Sequence, residues 1–196
     1  MSYLSDQAID RLSAVANWPE FVSDRYSVTR EAGRGGMGTV YLATDHELGR
    51  DVALKVSNTV ASAEFERRLT LEARALAQLE HPGIVPVHDV GRLADGRVFY
   101  VMKWVNGVTL REHLARETNL AERLRIFDRL CEAVAFAHSR RIIHRDLKPE
   151  NVMIGAFGEV MVMDWGLSKS LASASSERAA VMGTQGFMAP EQARGD

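Results

Sequence analysis

Gly33, Gly35, Gly36 and Gly38 are crowded into one short stretch between two β-prone runs, residues 26–31 and 39–44. Directly after the last glycine comes Thr39-Val40-Tyr41-Leu42, a β-branched and aromatic run, not a helix start. A dinucleotide-binding crevice needs a helix directly after its third glycine, so that architecture is excluded. The alternative is an antiparallel hairpin with a glycine-rich tip. Such a tip can bring backbone N–H groups close to phosphates, because no Cβ stands in the way. A tight hairpin with no ligand fits the run equally well, so the glycines alone decide topology and not chemistry.

The rest of the chain extends this start. A turn at 46–50 and a β-rich run at 51–56 continue the meander. Residues 62–80 predict a helix, with Phe65, Leu69, Glu72, Leu76 and Leu79 on one face, ended by His81-Pro82. Two strands are expected at 84–90 and 97–102, around the Ala94-Asp95-Gly96 turn. Beyond Asn106-Gly107 the pattern turns helical. A short helix is expected at 109–116, then a long one striped by Leu120, Leu124, Phe127, Cys131, Val134 and His138. Two β-rich pieces come next at 152–154 and 160–163, and the Ser/Ala-rich stretch 168–178 reads as a mobile loop. Residues 1–24 read as a leader outside the main fold.

Composition removes several classes of function. The balance of 24 basic against 26 acidic residues leaves a net charge of −2, with no basic block for nucleic acid. The single cysteine, Cys131, cannot form an internal disulfide and is expected in the core. No apolar run approaches a membrane span, and the first ten residues do not read as a signal peptide, so a cytoplasmic setting is expected. Only four of the 24 basic residues are Lys: Lys55, Lys103, Lys148 and Lys169. Where Arg is the general cation, a retained Lys can mark a need for a compact ammonium.

Three groups of residues carry chemistry. Val52-Ala53-Leu54-Lys55 puts a Lys at the end of an apolar strand. Glu72 sits in the apolar stripe of the next helix, where a carboxylate is costly unless paired. Lys55 is its obvious partner. His144-Arg145-Asp146-Leu147-Lys148-Pro149-Glu150-Asn151 then packs carboxylate, ammonium and amide into one loop. Such a carboxylate can orient a hydroxyl, the ammonium can neutralise phosphate charge, and the amide oxygen suits a hard cation. Met163-Asp164-Trp165-Gly166 delivers a second carboxylate from a strand end, so Asn151 and Asp164 together make a two-oxygen metal site.

As a set, these motifs resemble the eukaryotic-like protein kinases, and in texture the bacterial serine/threonine kinases. Glycine-rich loop, strand Lys, His-Arg-Asp loop, Asp-Trp-Gly and Ala189-Pro190-Glu191 occur in the family's order. The resemblance implies an α+β, bilobal protein-kinase-like fold. Its β-rich N-lobe (25–102) would carry one long helix, and a hinge (103–108) would lead to an incomplete helical C-lobe (109–196). It implies transfer of the ATP γ-phosphoryl group to Ser or Thr hydroxyls of protein substrates, with Mg²⁺. Gly33, Arg34, Gly35, Gly36, Met37 and Gly38 would cover the phosphates. Lys55, held by Glu72, would contact the α- and β-phosphates. Val40, Ala53 and Met153 would sandwich the adenine, with Met102 as gatekeeper and the backbone of Lys103 and Val105 reading its edge. Asp146 would act on the acceptor hydroxyl, Lys148 on the γ-phosphate, and Asn151 and Asp164 would bind Mg²⁺.

Trp165 stands where the family has Phe, and its indole N–H needs a partner. Lys103 stands where an acidic hinge residue is common. The chain ends five residues after Glu191, so later helices of the family are absent. Parts of 120–138 are therefore expected to be uncovered, favouring self-association, and this chain alone is expected to bind Mg-ATP weakly and to show little or no protein kinase activity. Autophosphorylation is expected between Ser168 and Thr184. The competing reading is a nucleotide-binding fragment or pseudokinase acting as an interaction module. A small-molecule kinase is disfavoured by the peptide-positioning segment 183–191.

Overall fold

The structure is a computed structural model that describes residues 18–35, 38–57, 63–116, 119–165, 169–170 and 183–195. The sheet expected from the glycine hairpin has five strands: β1 (Tyr26–Gly35), β2 (Gly38–Asp45), β3 (Arg50–Val56), β4 (Val87–Arg92) and β5 (Val98–Lys103), in the order β1-β2-β3-β5-β4 and antiparallel throughout. The central strand explains the two-sided core. On β3, Val52, Leu54 and Val56 point to one face and pack with Tyr26, Tyr41, Ala43, Phe99 and Val101. Ala53 points to the other face, toward Leu69, Ala73 and Leu76 of helix α1 (Ala63–Ala77), and by the same alternation so does Lys55.

The expected stripe of α1 is confirmed where it is described. Leu69, Glu72, Leu76 and Leu79 are all buried, and the side chain of Phe65 lies outside the described residues. The helix stops at Ala77, short of the expected 80, and Leu79 is buried from the turn beyond it. Residues 83–85 do not start β4. They cross instead to the second lobe, where Val162 N–H donates to Gly83 O at 2.9 Å and Val85 N–H to Val162 O at 3.2 Å.

The second lobe holds α2 (Leu110–Arg116) and α3 (Leu120–Ser139), a three-stranded sheet of β6 (Gly107–Thr109), β8 (Val152–Gly155) and β9 (Val160–Val162), and the pair β7 (Ile142–Ile143) with β10 (Lys169–Ser170). The sequence pattern missed β6, β7 and β10. They are two or three residues long, too short to show a period. β6 also shortens the hinge, because residues 107–108, expected to be linker, are paired to β8. Gly107 permits that pairing: a Cβ there would meet the Ile154 carbonyl oxygen at 2.0 Å. Gly107→Ala is expected to cost about 1–3 kcal/mol by forcing β6 off β8, read as a lower urea midpoint. An unchanged midpoint would show that the strand pair yields freely.

Two expectations are corrected. The leader does not end at residue 24. Trp18 packs edge-on against Tyr41 with ring centroids 5.6 Å apart, Phe21 meets Phe99 at 5.3 Å, and Ala94 N–H donates to Glu20 O at 2.9 Å. Residues 18–24 therefore belong with the β lobe, and the rest of the expected leader lies outside the described residues. The second correction concerns α3. Its buried face is Ile126, Ala133 and Ala137, whereas Leu120, Leu124 and Phe127 are 68%, 57% and 61% exposed. Cys131, expected in the core, is exposed on that same side. Two apolar stripes run side by side on α3. Periodicity finds both and cannot say which one meets the strands.

Candidate active site

The two lobes enclose a cleft of about 840 Å³. Its roof is the glycine hairpin with Val40 and Ala53, its back is Met102, Lys103 and Val105, and its floor carries Met153, Asp146, Lys148, Asn151 and Asp164. Every expected site residue that is described lines this cleft, Gly33, Arg34, Gly35, Gly38 and Lys55 included, except Glu72, which stands behind Lys55. Gly36 and Met37, the tip of the hairpin, lie outside the described residues.

Lys55 is held from two sides. Its Nζ donates to Glu72 Oε1 at 2.8 Å and to Asp164 Oδ1 at 2.7 Å. The Lys55 and Glu72 side chains are only 6% and 2% exposed, while Asp164 is 48% exposed. Tyr100, two residues before Met102 and therefore on the same face of β5, donates its hydroxyl to Glu72 Oε1 at 2.8 Å. Sequence reasoning did not pick it out, although its parity with Met102 was legible. Burial opposes the Lys55 charge, but the two carboxylates outweigh it and hold the ammonium above its ordinary range. Burial pushes the Glu72 carboxyl upward against the pull of Lys55. Burial also pushes Asp164 upward, and Lys55 more than reverses this, so Asp164 sits below the ordinary carboxylate range.

The second cluster is centred on Asp146. Asn151 Nδ2 donates to Asp146 O at 2.8 Å and to Oδ2 at 3.1 Å, and Lys148 Nζ lies 3.1 Å from Oδ2. Thr184 completes it, donating its hydroxyl to Asp146 Oδ1 at 2.7 Å while accepting from Lys148 Nζ at 2.6 Å. Burial raises the Asp146 carboxyl, but these donors prevail and hold it below its ordinary range. The role of Thr184 was not foreseen, because it lies 38 residues from Asp146 and only the fold joins them. The expected phosphorylation stretch is described only at 169–170 and 183–184, and the Thr184 hydroxyl is already engaged.

His144 and Trp165 support both clusters from below. Asp146 N–H donates to His144 Nδ1 at 3.2 Å, so that nitrogen is an acceptor and the ring proton is on Nε2. Nε2–H in turn donates to Met163 O at 2.8 Å. Burial lowers the His144 pKa, which fits this neutral tautomer. The His144 ring lies 4.6 Å from that of Trp165. Trp165 is 1% exposed among Leu69, Ala73 and Leu76, and its indole N–H finds Val162 O at 3.4 Å. The larger ring is thus accommodated with its polar atom paired. Arg145 and Asp164, beside these groups, adopt left-handed backbone with φ of 67° and 51°. Such conformations cost on the order of 1 kcal/mol each and are tolerated where neighbours over-determine them. Here the Gln192 side-chain amide donates to Arg145 O.

The sequence is similar to those of known proteins. Residues 26–196 match the protein kinase domain family. The chain belongs to that family. Serine/threonine-protein kinase PknB of Mycobacterium tuberculosis is 40% identical over 188 residues, covering 91% of this chain and 30% of that protein. PrkC of Bacillus subtilis is 38% identical over 179 residues (89% and 28%). PknD of Protochlamydia amoebophila is 36% identical over 208 residues (88% and 21%). This kinase domain therefore spans less than a third of the length of these relatives, all of them bacterial serine/threonine-protein kinases by name. The family implies ATP and a divalent metal. The bilobal α+β architecture expected of it is the one described above, with a five-stranded first lobe and few helices in the second. Among the described residues no helix is long and apolar enough to cross a membrane.

The donor set fits a hard cation that is shared with a ligand. Among the described residues no group of three or more His, Cys, Asp or Glu side chains could hold a metal alone. Asn151 spends its amide N–H groups on Asp146, which leaves its carbonyl oxygen available, and half-exposed Asp164 has a second oxygen beyond Lys55. Two protein oxygens with open positions suit a divalent cation whose coordination is completed by ligand oxygens.

Proposed function

We propose that this chain is the catalytic part of a serine/threonine protein kinase, which transfers the ATP γ-phosphoryl group to Ser or Thr hydroxyls of proteins. The observation that carries this reading is the Asp146 cluster: a carboxylate bonded by Lys148, Asn151 and Thr184 on the floor of a cleft roofed by the glycine hairpin. A module that only held a nucleotide would have no use for a carboxylate kept ionised beside an ammonium.

Adenine lies between Val40 and Ala53 above and Met153 below, with Met102 closing the back. Lys103 N–H already donates to Pro86 O at 3.1 Å, so its carbonyl is the group offered to the base, together with the backbone of Val105. The backbone of residues 33–38 covers the phosphates. Lys55, made rigid by Glu72, holds the α- and β-phosphates. Asn151 and Asp164 would hold Mg²⁺, which supplies charge neutralisation of the phosphate oxygens when bound. The acceptor hydroxyl approaches Asp146. Its oxygen bonds to the γ-phosphorus as the bond from that phosphorus to the β–γ bridging oxygen breaks. Asp146 takes the hydroxyl proton, Lys148 neutralises the transferring group, and ADP departs with the bridging oxygen. Catalysis is positional and electrostatic.

The test has two parts. The 196-residue chain should bind Mg-ATP, and the full-length protein should transfer label from γ-labelled ATP to Ser and Thr of a generic basic protein and to itself. Label appearing on Tyr alone, or none on any protein, would overturn the reading. Thr184→Val should slow transfer by about 10- to 100-fold through a misplaced Asp146, with Mg-ATP binding unchanged. Full activity in that variant would remove Thr184 from the site.

A further inference from the structure

A β-bulge aims one side chain of β1 at the mouth of the cleft. Tyr26 and Val28 alternate onto the outer core face, and Val28 pairs with Ala43 of that core. Strict alternation would put Arg30 on the same outer face. The register shifts between Val28 and Arg30, so Arg30 pairs with Leu42 instead. A one-residue slip moves a side chain to the opposite face of a sheet. Leu42 pairs with Ala53 and Ala53 with Met102, and directly paired residues share a face. Arg30 therefore joins the row that forms the roof and back of the cleft, and it lines that cleft.

On that face Arg30 meets the hinge. Its guanidinium carbon lies 5.5 Å from the ring centroid of Trp104, the residue just after β5, which also lines the cleft. The contact is not local. β1 is the edge strand, and β2 and β3 stand between it and β5. Three strand spacings would separate the two backbones by about 14 Å in a flat sheet. They meet because the sheet curls and both side chains reach across the opening. Bulges enhance local twist and re-aim side chains next to active sites.

From this geometry we infer that Arg30 and Trp104 form a clasp across the adenine side of the cleft. It joins the strand that carries the glycine hairpin to the hinge that reads the base. Arg30 is a positioning residue: its charge lies on the indole face, and its effect on the nucleotide comes through where it holds β1. The inference rests on the reading of the cleft as an ATP site. A cation–π contact at an exposed position corresponds to about a two- to five-fold change in an equilibrium constant.

The experiment is titration of the 196-residue chain with a fluorescent ATP analogue and Mg²⁺, using the unmutated protein, Arg30→Ala, Arg30→Lys, Trp104→Leu and the double variant Arg30→Ala/Trp104→Leu. Arg30→Ala and Trp104→Leu should each raise Kd about two- to five-fold, and Arg30→Lys should recover part of the loss. The double variant should be no weaker than the poorer single variant, because both remove one contact. Melting temperature should not move in Arg30→Ala, whose side chain is exposed, whereas Trp104 is half-buried against the core, so Trp104→Leu is judged by its Kd relative to the double variant. An unchanged Kd in Arg30→Ala, or losses that multiply in the double variant, would overturn the clasp while leaving the ATP site intact. Failure of the unmutated chain to bind the analogue would overturn the nucleotide reading and the clasp together.

Discussion

Asp146→Asn in the active kinase should lower phosphoryl transfer by on the order of 100- to 10,000-fold and leave Mg-ATP binding within about two-fold. Asn keeps the shape of Asp146 and can still accept from Asn151 and Lys148 through its amide oxygen. It cannot take a hydroxyl proton. The nucleotide contacts run through the hairpin, Lys55 and the hinge, none of which the substitution touches. The pH dependence comes from the same cluster. The Asp146 carboxyl is raised by burial but lowered more by Thr184, Lys148 and Asn151, so it stays ionised below the ordinary carboxylate range. The acid limb of the rate profile should therefore fall below that range, and Thr184→Val should move it upward. Turnover near that of the unmutated enzyme in Asp146→Asn would assign the proton to another group. A limb at the ordinary carboxylate position would show that the donors around Asp146 do not hold its charge.

Lys55→Met should stop catalysis and also destabilise the fold, by about 3–5 kcal/mol if Glu72 were left charged. Both partners are nearly inaccessible, so no water replaces the lost ammonium. Glu72 retains Tyr100 as a donor and can take up a proton, which moves the expected loss toward the low end of that range. The sign with pH is definite. Burial already raises the Glu72 carboxyl, and losing Lys55 raises it further. A group whose folded pKa lies above its unfolded value contributes stability at low pH and loses it as pH rises through the folded pKa. The deficit of Lys55→Met should thus be small in acid and grow toward neutrality. Lys55→Met/Glu72→Gln should recover much of the stability at neutral pH, because Gln still accepts from Tyr100 without a buried charge, and it should remain inactive. Urea unfolding of the three proteins across pH decides this. A double variant no more stable than Lys55→Met at neutral pH would refute the paired-charge account.

Several features were readable from sequence because they depend on neighbours along the chain. Glycines leading into a β-prone run dictated a hairpin and excluded a helix-capped phosphate site. Alternation on β3 put Val52, Leu54 and Val56 on one face and Ala53 and Lys55 on the other. The 3.6-residue period put Glu72 on the buried stripe of α1, where an unpaired carboxylate could not stay. The order of the motifs identified the family. Asp146, Lys148 and Asn151 are close in the chain, so their cluster was legible as one loop.

Tertiary structure decided whatever depends on which surfaces meet. Of two apolar stripes on α3, packing against β7 and β9 chose Ile126, Ala133 and Ala137 and left Leu120, Leu124, Phe127 and Cys131 outside. Hydrophobic patterning reports the capacity for burial, and the partner determines its use. Trp18 and Phe21 joined the first lobe because aromatic neighbours 20 to 80 residues away were waiting on the sheet. Thr184 reached Asp146, and Asp164 reached Lys55, across separations of 38 and 109 residues. The bulge that turns Arg30 toward Trp104 is a single extra residue in a ladder, and no period in the sequence announces it. Local chemistry sets each element's form and its chemically active ends, whereas long-range contacts carry no local signature and exist only once the chain has closed on itself.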